Sequence, residues 1–310
     1  MEKGLVIKST GSWYKVQKPN KEIIDCKIRG KIRLKGIRTT NPISVGDIVQ
    51  FLMLEDGTGL ITKIETRKNY IIRKATNLSK ESHIIAANID QAFIVLSLKH
   101  PTTPLEFVDR FLVTAEAYSI KAYIIFNKTD ILSDEEKEDL QILRFIYKEA
   151  GYESYEISAK QGTNIDQIRN MLPGKISLFA GNSGVGKSTL LNSIQPGLEL
   201  KTGDISDAHK TGKHTTTFSE MFELEKDTYI IDTPGIRGFG IIDLDKQELW
   251  HYFPEIFKES HKCQFNNCTH THEPKCAVKQ AVEEVRISET RYLSYLSILE
   301  DENEKHRLKF

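Results

Sequence analysis

No apolar run in this 310-residue chain approaches the roughly 18 to 20 residues that a membrane-spanning helix needs. Met1-Glu2-Lys3-Gly4 opens no charged-then-apolar pattern of a secretion signal. No membrane role and a cytoplasmic location are the expectations. Cysteines number only four, and three of them, Cys263, Cys268 and Cys276, crowd into fourteen residues while Cys26 stands alone, which in a reducing compartment favours a metal over disulfides. Net charge is absent as well, since 43 Lys and Arg balance 43 Asp and Glu, which excludes a chain that is polycationic throughout. Extensive disorder is excluded by 39% apolar and 28% charged residues, ordinary values for a globular protein long enough for two or three domains.

The balance of charge hides an asymmetry. Residues 1–72 hold 14 Lys/Arg against 7 Asp/Glu, whereas 241–310 hold 10 against 13. The first segment is written in short β-type runs: Leu5–Ser9, Trp13–Gln17, Ile23–Ile28, Lys31–Leu34, Ile48–Leu54 and Leu60–Glu65. Glycines and Glu55-Asp56-Gly57 punctuate them, as in a small barrel of the oligonucleotide-binding (OB) type. Ile24, Cys26, Ile28, Ile32 and Leu34 alternate with Lys27, Arg29, Lys31, Arg33 and Lys35. An extended run of this kind turns one face to the core and the other into a row of cations. A solvated outer face is the plain alternative, but five like charges in a row repel one another, which favours an RNA-facing strand. Trp13 and Tyr14 are assigned no role.

After a polar connector from Arg73 to Asn88, strands and helices alternate. The strands are Ala92–Leu98, Ala122–Phe126, Tyr155–Ile157 and Ile176–Ala180, and the helices Phe107–Tyr118 and Ser133–Gly151. The pattern predicts a parallel sheet with its ligand groups at the strand ends. One such end carries Gly181-Asn182-Ser183-Gly184-Val185-Gly186-Lys187-Ser188, then Thr189. This is the G-x-x-x-x-G-K-S phosphate loop: backbone N–H groups and a helix N-terminus surround a polyphosphate, Lys187 reaches its outer phosphates, and Ser188 can ligate Mg²⁺.

Two other strand ends carry Asn127-Lys128-Thr129-Asp130 and Ser158-Ala159-Lys160, which match the guanine-recognition pair of regulatory GTPases. An ionised Asp130 can accept from both N1–H and the N2 amino group of guanine, an arrangement adenine does not offer, so an ATPase is disfavoured. Asn127 is expected to bond the base or brace the phosphate loop, the Lys128 stem to cover the ring, and the Ala159 N–H to approach the guanine oxygen. Downstream, Gly212-Lys213-His214-Thr215-Thr216-Thr217 reads as a switch stretch, with Thr216 preferred among the threonines for Mg²⁺. A strand pair, Phe218–Leu224 and Tyr229–Ile231, leads into Asp232-Thr233-Pro234-Gly235. There Asp232 is expected to hold the metal and the Gly235 N–H to meet the γ-phosphate.

Cys263, Cys268 and Cys276, with His270 or His272 among them, make a tetrahedral Zn²⁺ set that leaves no position for water. Such a site is structural. Helical spacing follows through Val278, Ala281, Val282 and Val285, then Leu293, Leu296 and Leu299.

The guanine-reading motifs precede the phosphate loop, an order that resembles a circularly permuted GTPase. With a barrel before it and a cysteine cluster after it, the whole chain resembles the ribosome-small-subunit-dependent GTPase A family (RsgA/YjeQ). G-N-S-G-V-G-K-S, G-K-H-T-T-T and D-T-P-G-I-R-G-F-G carry the likeness, with Lys213 where an arginine is expected. The resemblance selects His270 as the fourth zinc ligand. It implies an OB barrel over 1–72, a permuted P-loop GTPase over 73–240 and a zinc-binding and helical module over 241–310. It also implies a monomer that binds GTP or GDP, Mg²⁺ and one Zn²⁺, with the small ribosomal subunit and its rRNA as partners in late subunit maturation. In the implied reaction water attacks the γ-phosphate, assisted by Lys187, Ser188, Asp232 and Gly235. Many relatives of Ras place a water-orienting glutamine where this chain has Ile236, so His214 is the internal candidate for that task. A guanine-nucleotide-sensing RNA-binding module with negligible turnover is the alternative. The D-T-P-G turn runs through Ile236–Gly240 into the cysteine-bearing segment. Contact at Gly235 is accordingly expected to reposition that module against the barrel.

Overall fold

The structure, a computed structural model, describes residues 1–28, 42–74, 82–198, 200, 219–232 and 246–300. Strands β1 (Glu2–Ser9), β2 (Tyr14–Gln17), β3 (Ile23–Ile28), β4 (Ile48–Met53) and β5 (Gly59–Ile64) close on themselves in the order β1-β2-β3-β5-β4, with β4 returning to β1. Only β3 and β5 of these run parallel. Val6, Val16, Ile24, Cys26, Val49, Phe51 and Ile61 fill the interior. The expected alternation holds along β3, where Ile24 and Cys26 are buried and Ile23, Asp25 and Lys27 face out. Arg29, Lys31, Arg33 and Lys35, with Ile32 and Leu34, lie outside the described residues. Tyr14 belongs to the barrel core, whereas Trp13 is exposed and carries the Lys27 ammonium 4.1 Å above its ring.

The anticipated polar connector is in part a hairpin, β6 (Tyr70–Lys74) paired with β7 (Ser82–Ala87). Ile71 and Ala86 supply its buried side, joining the core of the next unit. Its apolar residues come as short unbroken runs, Ile71-Ile72 and Ile84-Ile85-Ala86-Ala87, so no polar–apolar alternation marks the strands in the sequence.

The central sheet contains β8 (Gln91–Leu96), β9 (Lys121–Phe126), β10 (Glu153–Glu156), β11 (Ile176–Gly181), β12 (Glu220–Glu225) and β13 (Thr228–Asp232). Its order is β10-β9-β8-β11-β13-β12, parallel except for β12. Helices α1 (Leu105–Ala117) and α2 (Asp134–Glu149) cover one face, packing Phe111, Leu112 and Leu140 with Ile94 and Ile124. The other face carries α3 (Ile165–Arg169) and α4 (Lys187–Ile194), whose Ile168, Leu190 and Leu191 meet Phe93, Val95 and Phe179. Consecutive residues of β8 thus serve opposite layers, which is why that strand reads as one unbroken apolar run. The barrel joins this sheet edge to edge: Lys8 of β1 pairs with Glu220 of β12, and the Tyr229 hydroxyl donates to Gln17 at 3.0 Å.

The C-terminal unit consists of α5 (Pro254–Ser260), α6 (Ala277–Glu283) and α7 (Glu289–Glu300) around the cysteines. The helical spacing expected through Val278, Ala281, Val282 and Val285 stops short of its last member, since Val285 lies beyond α6 with φ 59° and is 85% exposed. Leu293 also points outward, and the buried side of α7 is instead Arg291, Ser294, Tyr295 and Ile298. A charged residue occupies an apolar-type position because its partners come from elsewhere. Arg291 donates to Asp109 of α1 at 2.6 Å and to Glu255 of α5 at 2.7 Å, and its guanidinium lies 4.8 Å from the Phe253 ring centroid. Among the described residues no helix is long and apolar enough to cross a membrane.

This triad fastens α7 to the central unit. Arg291→Met leaves Asp109 and Glu255 buried without their cation, so unfolding stability should fall by about 3–5 kcal/mol. Denaturant titration reads this directly; a loss below about 1 kcal/mol would mean that the carboxylates reach water or protonate at little cost.

Candidate nucleotide site and metal centre

The C-terminal ends of β8, β9, β11 and β13 lie side by side, with Leu96 paired to Phe126, Val95 to Gly181 and Phe179 to Asp232. Residues 127–130, the phosphate loop and Asp232 belong to this edge, and residues 158–160 follow β10, the parallel neighbour of β9. The phosphate loop leaves β11 at Gly181 and enters α4 through Gly186, whose φ of 91° and ψ of 21° are left-handed. A β-carbon on Gly186 would stand 2.4 Å from the Asn127 side-chain nitrogen, so glycine is required there for space as well as conformation. Val185 is fully buried and anchors the loop in the core beneath.

Asn127 is the tie between the loops. Its side-chain amide donates to the Val185 carbonyl at 2.8 Å, and its side-chain oxygen accepts from the Ala159 N–H at 2.9 Å. Of the two roles expected for Asn127, the structure displays the brace. Lys128 takes a left-handed conformation, φ 64°, and its ammonium donates to the His100 carbonyl. Burial lowers the Lys128 pKa from the usual lysine range. The Thr129 hydroxyl donates to the Ile157 carbonyl at 3.0 Å, pinning this loop to the end of β10. Ser158 donates to one oxygen of Asp130 at 2.6 Å and so orients that carboxylate. Lys160, next along, is exposed.

On the phosphate side, Lys187 is buried in the first turn of α4 and ion-paired with Asp232 at the end of β13. Ser188 and Thr189 follow it on α4, half-buried, as are Asn182 and Gly184, while Ser183 is exposed. The arrangement gathers a cation, a carboxylate, a hydroxyl and a helix N-terminus at one strand edge, a donor set suited to a phosphate–Mg²⁺ pair. Lys213, His214, Thr215, Thr216, Thr217, Gly235 and Ile236 lie outside the described residues.

The cysteine cluster forms a second centre. The sulfurs of Cys263, Cys268 and Cys276 and a ring nitrogen of His270 lie within 4.8 Å of one another. His270 Nδ1 is 3.6 Å from the Cys263 sulfur and 3.5 Å from that of Cys276. His272 is exposed and bonded to Thr271, which leaves His270 as the histidine of the set. Burial pushes the Cys268 thiol up to about 12, raises that of Cys276 and lowers the His270 imidazole. Three thiolates gathered without a cation would be costly, and a tetrahedral divalent ion supplies the missing charge. The donor set fits Zn²⁺.

The shell around this cluster was not legible in the sequence. The Tyr292 hydroxyl donates to the His270 carbonyl at 2.6 Å and Tyr295 to the Thr269 carbonyl at 2.7 Å, tying α7 to the knuckle. Glu273 accepts from the Thr269 and Thr271 N–H groups, and these bonds outweigh its burial, lowering its pKa to about 2. Trp250 stands edge-on to the His270 ring at 5.5 Å. None of these residues belongs to a spaced motif, and each is recognisable only by what it touches.

Residues 64–242 match the RsgA GTPase family, and residues 3–61 match the RsgA N-terminal domain. Similar curated proteins include "Small ribosomal subunit biogenesis GTPase RsgA 2" of Bacteroides thetaiotaomicron, 55% identical over 99% of this chain and 100% of its own. The Christiangramia forsetii "Small ribosomal subunit biogenesis GTPase RsgA" is 51% identical, covering 98% of each. Among solved structures, YjeQ from Thermotoga maritima superposes with TM-score 0.77 at 35% identity, covering 96% of this chain and 97% of that one. YloQ, described as a circularly permuted GTPase, gives 0.72 at 32% identity, with 96% and 94% covered.

Proposed function

The chain belongs to the RsgA GTPase family, and from that membership we propose that this GTP hydrolase acts in late maturation of the small ribosomal subunit, binding its rRNA and leaving after hydrolysis. The observation that carries the site assignment is the pair of hydrogen bonds that Asn127 makes, donating to the Val185 carbonyl and accepting from the Ala159 N–H. Through it the base-reading loops and the phosphate loop form one receptor, so that guanine and triphosphate are held in a fixed relation.

In the proposed mechanism Asp130, oriented by Ser158, accepts from the guanine edge, while the Lys128 stem covers the ring and Ala159 approaches its oxygen. Lys187 and the backbone from Gly181 to Gly186 hold the outer phosphates. Ser188 and Asp232 would hold Mg²⁺, for which Asp232 exchanges its present partner Lys187, with Thr216 closing from the switch stretch. The metal neutralises charge that develops on the phosphate oxygens. Water attacks the γ-phosphate in line, and Gly235 donates to that group. With Ile236 unable to orient water, His214 takes that part once the subunit is bound. The exposed Trp13 and Lys27, together with the cation-rich sequence that follows β3, support rRNA contact by the barrel. We assign the domains as 1–72, 73–240 and 241–310, and the active form as a cytoplasmic monomer.

The β1–β12 junction supports a route from nucleotide to barrel, because β12 follows the switch stretch and β13 ends at Asp232. The C-terminal unit, by contrast, is held to α1 by the buried Arg291 triad, which opposes its free movement against the central sheet.

Phosphate release with and without purified small subunits tests this reading. Subunits should accelerate wild-type turnover, and His214→Ala should lose on the order of 10²-fold of the stimulated rate. Equal stimulation of both proteins would remove His214 from the mechanism. Tight subunit binding without stimulated release would instead favour a nucleotide-sensing RNA binder.

A further inference from the structure

Helix α2 carries a face that neither the nucleotide site nor the metal centre uses. Ile142 is 59% exposed and Phe145 is 64% exposed, although the buried side of the helix, Leu140 and Tyr147, already packs against the core. At about 100° per residue, Glu135, Glu138, Asp139, Ile142, Phe145 and Glu149 fall within an arc of roughly 120°. All six are exposed, and among the described residues none of the four carboxylates forms an ion pair. The cations of the helix, Lys137, Arg144 and Lys148, sit on a different flank. Acids therefore dominate this arc, with Glu138, Asp139 and Glu149 beside two adjacent apolar side chains, while Gln141 and Lys148 border Phe145 on its other side.

A helix that needs only solubility intersperses charge of both signs and keeps large apolar groups inward. The acidic frame also repels phosphates, so this face is unsuited to rRNA. Polypeptides bound to rRNA are, however, rich in Lys and Arg, because they neutralise phosphate. We propose that this face of α2 docks a basic polypeptide segment of the small ribosomal subunit, with an apolar side chain seated on Ile142 and Phe145 and its cations against Glu138, Asp139 and Glu149. The proposal rests on the small-subunit reading above and adds to it a protein contact on α2.

The test uses the full-length protein with purified small subunits and a non-hydrolysable GTP analogue. Ile142→Gln/Phe145→Gln keeps good helix formers at exposed positions, and the helix retains its capping box, in which Ser133 accepts from the Glu136 N–H. Subunit affinity should fall by about tenfold, the outcome of losing two apolar anchors at an interface, with GTP affinity and melting temperature unchanged. Glu138→Lys/Asp139→Lys should weaken binding similarly, and more at low salt. A benzoylphenylalanine placed at position 145 should crosslink to a subunit polypeptide. Unaltered subunit affinity in both variants overturns the proposal while leaving the small-subunit reading intact. Failure of the wild type to bind subunits overturns both. Crosslinking to rRNA, or equal loss of affinity for deproteinised rRNA, would show that the face meets RNA. A concentration-dependent dimer abolished by the glutamine variant would show that its occupant is a second copy of this chain, and either result overturns the proposal.

Discussion

Asp130→Asn is expected to transfer the nucleotide preference from guanosine to xanthosine triphosphate, with loss of GTP affinity on the order of 10³- to 10⁴-fold. In the proposed site the carboxylate accepts from two neighbouring donors on guanine, and an amide in its place would present its own donor to one of them. Xanthine carries a carbonyl at that position, which the amide can satisfy. The structure adds a reason for the exchange to be clean. Ser158 donates to one oxygen of Asp130 at 2.6 Å; in the variant the same hydroxyl holds the amide oxygen and turns the nitrogen toward the base. Ser158→Ala in the Asp130→Asn background should therefore recover less xanthosine triphosphate binding. Competition against a fluorescent guanine nucleotide measures both effects. Retention of guanine preference in Asp130→Asn would show that another group reads the base edge.

Loss of the metal centre is expected to have the largest effect on stability. Cys276→Ser, or treatment with a strong zinc chelator, should convert residues 246–300 to a protease-sensitive segment while bound zinc falls from one ion per chain to none. Structural zinc contributes about 10–16 kcal/mol in small finger peptides at neutral pH, more than a core of this size provides unaided. The cluster also organises its surroundings, since Tyr292 and Tyr295 of α7 bond to the backbone on either side of the His270 N–H. Release of the ion thus frees α7, and with it Arg291, so that the damage should reach α1 through Asp109. Thermal unfolding should show a lower and broader transition for the whole chain. His272→Ala should change neither zinc content nor protease resistance, because that imidazole is exposed and, among the described residues, bonded only to Thr271. Zinc-free protein with wild-type protease resistance would mean that helix packing alone supports the unit.

The two effects differ in how they were legible. The sequence by itself marked the candidate phosphate loop, the candidate base-reading pair and the three clustered cysteines, because each is a contiguous or closely spaced pattern, whereas the gathering of its ring with the three sulfurs separated His270 from His272. It also determined the layered central sheet, since buried strands and amphipathic helices carry their own periodicities. Only the tertiary structure decided that Asn127 braces Val185, 58 residues away, and that Arg291 is buried against Asp109, 182 residues away. It likewise decided that β6 and β7 pair, that α6 stops before Val285, and that β1 joins the barrel to β12. These features depend on partners that folding brings together, and a polar residue's partner has no signature in the residues beside it.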